Sequence, residues 1–96
     1  MEKSINKLYK DGIQMSNKLQ AAWLLFSFKC GDKLEKKEKQ GWAGWNNPEN
    51  EPNLKFKLLQ HFEKEWTQEN LVDISNFCLF LWNLKEEERK NAKNKL

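Results

Sequence analysis

Leu71–Leu84, LVDISNFCLFLWNL, is the most apolar run of the chain, and its reading decides the fold. Leu71, Ile74, Cys78 and Leu81 recur three or four residues apart, and Phe77, Phe80 and Leu84 do so on a second strip. That is the period of a helix with a wide apolar face. A helix of this kind must pack against other elements, so the rest of the chain has to supply a core. One acid, Asp73, and one amide, Asn76, sit inside the run. An unpaired charge in apolar surroundings is costly, so Asp73 must find a metal, a base, an amide donor or a helix cap.

Outward from this run, Thr67 is placed to cap the helix that carries it. Upstream, Leu54, Leu58, Phe62 and Trp66 lie four apart, with Asn53 as the expected N-cap of a second helix. Trp42–Pro52 is rich in glycine, asparagine and proline and reads as a loop. Leu19, Trp23, Phe26, Cys30 and Leu34 form one face of a long helix, widened by Leu24, Leu25 and Phe28. Ser16 is placed to cap it and Gly41 to close it. Residues 1–15 form a polar lead in which Ile5, Leu8 and Tyr9 have the spacing of a short docking helix. After Leu84, residues 85–96 form a charged tail that should prolong the last helix and then fray. Strand alternation and internal repeats are both lacking. The expected fold is all-α, a single domain over residues 1–96 whose bundle of three to four helices spans residues 16–84.

The length of 96 residues suits one domain. Five tryptophans and six phenylalanines exceed what so small a core needs. The apolar excess on the Trp23 and Trp82 helices therefore predicts a homodimer. A net charge of +3 is too small to indicate nucleic acid as the partner. The apolar runs fall short of the ~20 residues that span a bilayer, and residues 1–11 lack the apolar core of a signal peptide. A cytoplasmic protein without a membrane partner is expected. Cys30 and Cys78 lie in apolar helical stretches outside any CxxC pair and read as buried thiols, with a disulfide between them as the lesser alternative.

Two groups of residues offer chemistry. Glu65, Glu69 and Asp73 are spaced four apart and are candidate ligands for Mg²⁺, which prefers oxygen donors. Acids near a helix start, favoured by the helix dipole, account equally for Glu65 and Glu69. Lys33, Lys36, Lys37 and Lys39 lie close in sequence to Trp42 and Trp45, a pattern that can hold a phosphate and stack on a base. A solvated helix end explains the same lysines. Lys36, Lys39, Trp42, His61 and Asn76 make up the candidate nucleotide set. His61 is the sole histidine, and such a residue is more often packed than a ligand. Trp42 and Trp45 read first as caps of the bundle end and are also the candidate interaction surface. No nucleophile arrangement or glycine-rich phosphate loop is present.

Over residues 33–84 the chain resembles MazG-like all-α nucleotide pyrophosphohydrolases, especially short phage-encoded forms. The resemblance is carried by Lys39-Gln40-Gly41-Trp42, by Leu58-Leu59 and most closely by Asp73-Ile74-Ser75-Asn76-Phe77. It implies an oligomeric helical protein holding Mg²⁺ and nucleotide, with Glu65 and Asp73 as acids of the family's ExxE and ExxD motifs. Gln68 and Asn70 stand where each motif carries its other acid, so the implied hydrolysis is weak or absent. The expected function is a viral or phage accessory protein that binds a nucleotide or its phosphates. The alternative is a helical interaction module that docks on a host or viral protein, such as a virus-encoded inhibitor of a host defence system.

Overall fold

The computed structural model describes residues 14–94. The docking helix expected around Ile5, Leu8 and Tyr9 lies outside them. The described chain forms three helices, α1 (Asn17–Lys39), α2 (Glu51–Phe62) and α3 (Gln68–Asn94), with one 3₁₀ turn, Pro48–Asn50, ahead of α2. Among the described residues there is no strand, so the all-α expectation holds. None of these helices is long and apolar enough to cross a membrane.

Each boundary has a local cause. Ser16 Oγ accepts a hydrogen bond from the Leu19 amide at 3.2 Å and starts α1. At the other end the Gly41 amide donates to Glu38 O and the Trp42 amide to Lys37 O, each at 3.0 Å. This paired closure is a Schellman motif, and it requires the φ of +87° that Gly41 adopts. Gly44 repeats the left-handed conformation at φ +88°. Its carbonyl accepts from Asn50 Nδ2 at 2.8 Å, and a Cβ at position 44 would stand 2.8 Å from that nitrogen. Asn47 Oδ1 accepts from the Glu49 amide at 3.1 Å and caps the 3₁₀ turn. The loop is thus folded by its own glycine and asparagine chemistry.

α2 begins at Glu51, two residues before the expected cap at Asn53. Pro52 fits the first turn because its missing N–H would have had no helical partner there. Glu51 pairs with Lys55 and with Lys85 of α3, each at 3.3 Å. Hydrogen bonds from Lys55 first, and then Lys85, hold the Glu51 carboxyl below its ordinary pKa. At the opposite end of α2, His61 meets Asn70 of α3. These two contacts make α2 and α3 an antiparallel hairpin around the five-residue connection 63–67. Thr67 caps α3 as expected, its Oγ1 accepting from the Asn70 amide at 3.1 Å.

The residues of α3 that turn inward are Val72, Asn76, Phe80 and Leu84, one per turn and each buried. They do not coincide with the strip of Leu71, Ile74, Cys78 and Leu81. Cys78 is exposed, on the side of α3 away from Phe80, which corrects its reading as a buried thiol. Cys30 is buried, and both thiols are free. Leu54, Phe80 and Leu84 form the core, with Leu34, Trp42, Trp45, Phe77 and Leu81 packed against it. α1 joins through its C-terminal half, where Asn76 Nδ2 donates to Cys30 O at 3.3 Å. Its N-terminal half leaves Leu19, Trp23, Leu24, Leu25 and Phe28 exposed.

Phe80 touches Trp42, Trp45 and Phe77 with ring centroids 5.1, 5.6 and 5.9 Å away. Phe80→Ala should cost about 3–5 kcal/mol, since it opens a cavity among rings that cannot all collapse into it. Urea denaturation of the two proteins measures this difference.

Candidate functional site

Where α1, the 40–50 loop, α2 and α3 converge, they enclose a cleft of ≈ 370 Å³. Its size suits a small ligand. One wall is aromatic, formed by Trp42, Phe77 and Phe80. Trp42 reaches it because the Schellman closure turns the chain back at Gly41. The other walls are polar. Lys33 and Lys37 come from α1, Lys57, Gln60 and His61 from α2, and Asp73 and Asn76 from α3.

The polar groups are organised by Asn70, a buried amide next to the cleft. Asn70 Nδ2 donates to the His61 carbonyl at 2.8 Å, which leaves Asn70 Oδ1 as the acceptor. His61 Nδ1 therefore carries the proton and donates to that oxygen at 2.7 Å. The ring packs at a tilt of 39° against Phe77 with centroids 5.2 Å apart, and Nε2 is the nitrogen left for other partners. His61 Nδ1 also lies 4.0 Å from Asp73 Oδ2. The other Asp73 oxygen forms an ion pair with Lys33, whose Nζ is 3.7 Å from Glu69 Oε1. Among the described residues, Lys37 and Lys57 have no ion pair and no buried side-chain polar atom lacks a hydrogen bond.

The structure brings together part of the candidate nucleotide set. Trp42, His61 and Asn76 line the cleft. Lys36 and Lys39 do not, and pair instead along their own helix with Asp32 at 2.9 Å and Glu35 at 2.7 Å. Lys33 and Lys37 take the inward positions, because successive lysines on a helix point in different directions. Asn76 spends its amide on Cys30, so it fixes α1 to α3. Trp45 packs on Phe80, and Trp42 does so as well as lining the cleft. They close the bundle end, so the exposed aromatics are others, among them Trp23, Trp66 and Trp82.

The three candidate metal ligands do not converge. Glu65 is exposed in the connection between α2 and α3, while Glu69 and Asp73 occupy successive turns of α3. Among the described residues no three His, Cys, Asp or Glu side chains are close enough to share a metal ion. Lys57 was not singled out in the sequence, and Asn70 was marked only as the amide at an acid position of the family motif. Lys57 is one more lysine in a lysine-rich chain, and Asn70 shows its role only once α2 and α3 face each other.

A second cavity of ≈ 690 Å³ lies between α1 and the start of α3, lined by Leu25, Phe26, Lys29, Glu69 and Leu71 among others. It is more apolar than the first and open along the exposed half of α1. Compared with known protein families, curated proteins and solved structures, the chain matches none of them.

Asn70→Ala would strip a partner from both the His61 carbonyl and the His61 ring. A loss of about 1–3 kcal/mol in unfolding free energy is expected, read by denaturant titration.

Proposed function

We propose that this chain is a MazG-like accessory protein that binds a nucleotide in the cleft between its three helices, with weak or absent pyrophosphohydrolase activity. One observation carries the reading: Lys37 and Lys57, free of acidic partners among the described residues, line the same cleft as the aromatic wall of Trp42, Phe77 and Phe80. A nucleotide has those two needs in one molecule. Its phosphates require cationic donors, and its base requires an aromatic or apolar face. The protonated state of His61 Nδ1 leaves Nε2 as a further contact for a ribose or phosphate oxygen. Weak or absent hydrolysis follows from Gln68 and Asn70. Asn70 is buried in a structural role, and Gln68 opens α3 as an amide that brings no charge to a cation.

Thermal denaturation with a panel of nucleoside triphosphates tests this. A bound nucleotide should raise the melting temperature, with a stabilisation of about 2.7 kcal/mol at one hundred times Kd. Lys37→Glu combined with Lys57→Glu should abolish the shift. A panel that moves the melting temperature of the wild-type protein nowhere would end the nucleotide reading.

A second reading, an interaction module, is favoured by the apolar surface that the bundle leaves uncovered. Phe28 is 66% exposed, Trp66 and Trp82 63% each, and Leu19, Trp23, Leu24 and Leu25 add to it on α1. So much apolar surface on one small chain is the mark of a protein–protein contact. We propose a homodimer as its first use and a host or viral protein as a further partner. Light scattering at micromolar concentration should give a mass above that of a monomer. A monomer with a single cooperative melt would remove the homodimer.

A further inference from the structure

Lys33 stands where a metal ion bound by Glu69 and Asp73 would have to be. Its Nζ forms an ion pair with Asp73 and lies 3.7 Å from Glu69 Oε1. The side chain comes from α1 and is only 27% exposed, so it is packed into this place rather than draped over it. Glu69 is open to solvent, with 83% of its side chain exposed, and adds little to the pair. Glu65 is exposed in the connection ahead of α3 and takes no part in the Lys33 pairing. The donor set therefore does not fit Mg²⁺, which is held by one or two free carboxylates together with waters and phosphates in a near-octahedral shell. Asp73 is the one carboxylate in the cleft, and an ammonium already neutralises it.

The charge balance of the cleft suits an anion. Lys33, Lys37 and Lys57 face a single acid, Asp73, so three positive charges against one negative leave an excess of two when His61 is neutral. A nucleoside triphosphate keeps a negative charge with or without Mg²⁺, so this excess accounts for the phosphates, and the Lys33–Asp73 pair is what bears on the metal. An ammonium also keeps N–H donors available after one is given to Asp73, since it has three. Lys33 lines the cleft and can direct these at a ligand oxygen.

We infer that the cleft takes its nucleotide as the free polyphosphate anion, without Mg²⁺, and that Lys33 is the built-in cation linking Asp73 to the phosphates. This rests on the nucleotide reading above and adds the ionic form of the ligand. Mg²⁺ then competes with the protein for the polyphosphate. Lys33 is a positioning and charge-matching residue, and no bond is made or broken through it.

Isothermal titration with ATP, and with inorganic tripolyphosphate as a base-free control, decides the matter. In EDTA, ATP should bind several-fold more tightly than in excess Mg²⁺. Lys33→Met should weaken binding in EDTA by at least tenfold, and Lys33→Arg should restore most of it. The fold of each variant is checked by its melting curve. If Lys33→Met does not fold, the wild-type comparison with and without Mg²⁺ decides alone. Binding that requires Mg²⁺ would overturn this inference and leave the nucleotide reading standing. Absence of ATP binding under both conditions would overturn both. Equal binding of tripolyphosphate and ATP in EDTA would support the free-anion inference while removing the base from recognition.

Discussion

Phe80 is the residue on which the rest of the structure depends. It sits on α3 between Trp42 and Trp45 of the loop and beside Phe77, and with Leu54 of α2 and Leu84 it makes up the buried centre. One ring therefore joins the α1–α2 connection to α3 and α3 to α2. Aromatic pairs of this kind add to the burial of their area by the tilt of their rings. The core is small for the length of the helices. Much of its packing is supplied by a loop, and the loop keeps its shape through Gly41, Gly44, Asn47 and Asn50.

Polar residues then set the register that the core alone leaves loose. Asn76 ties α3 to the Cys30 carbonyl, Asp73 ties it to Lys33, and Asn70 ties it to both backbone and ring of His61. All three occur in the N-terminal half of α3, one turn or less apart. A slip of α3 against α1 or α2 would leave Asn70 and Asn76 buried without partners, which costs more than the bonds themselves contribute. The same three residues shape the cleft. Its polarity thus arises from groups that also hold the helices together, while Lys37 and Lys57 are left over from that task.

The N-terminal half of α1 follows a different logic. Leu19, Trp23, Leu24, Leu25 and Phe28 have the composition of a core but meet no other helix of the bundle over most of their surface. An apolar helix face of this size is stable in water only when something covers it. The proposed dimer and the proposed interaction module would be two forms of that covering. The cleft proposed for the nucleotide lies at the other end of α1, so either form is compatible with it.

The sequence by itself determined the helices and most of their ends. The period of Leu71–Leu84, the cap at Thr67, the cap at Ser16 and the stop at Gly41 are all local properties of a few adjacent residues, and each is found as expected. It also marked Trp42, His61, Asp73 and Asn76, because aromatic and polar residues in unexpected company can be seen without a fold. Which strip of α3 turns inward was not legible. Val72, Asn76, Phe80 and Leu84 are buried in preference to Leu71 and Cys78, a choice made by the tryptophans of a distant loop. Nor could the chain order tell Lys33 and Lys37 from Lys36 and Lys39, or join Lys57 and Asn70 to the site. Those assignments depend on which side of each helix meets a neighbour, and only tertiary packing fixes that rotation.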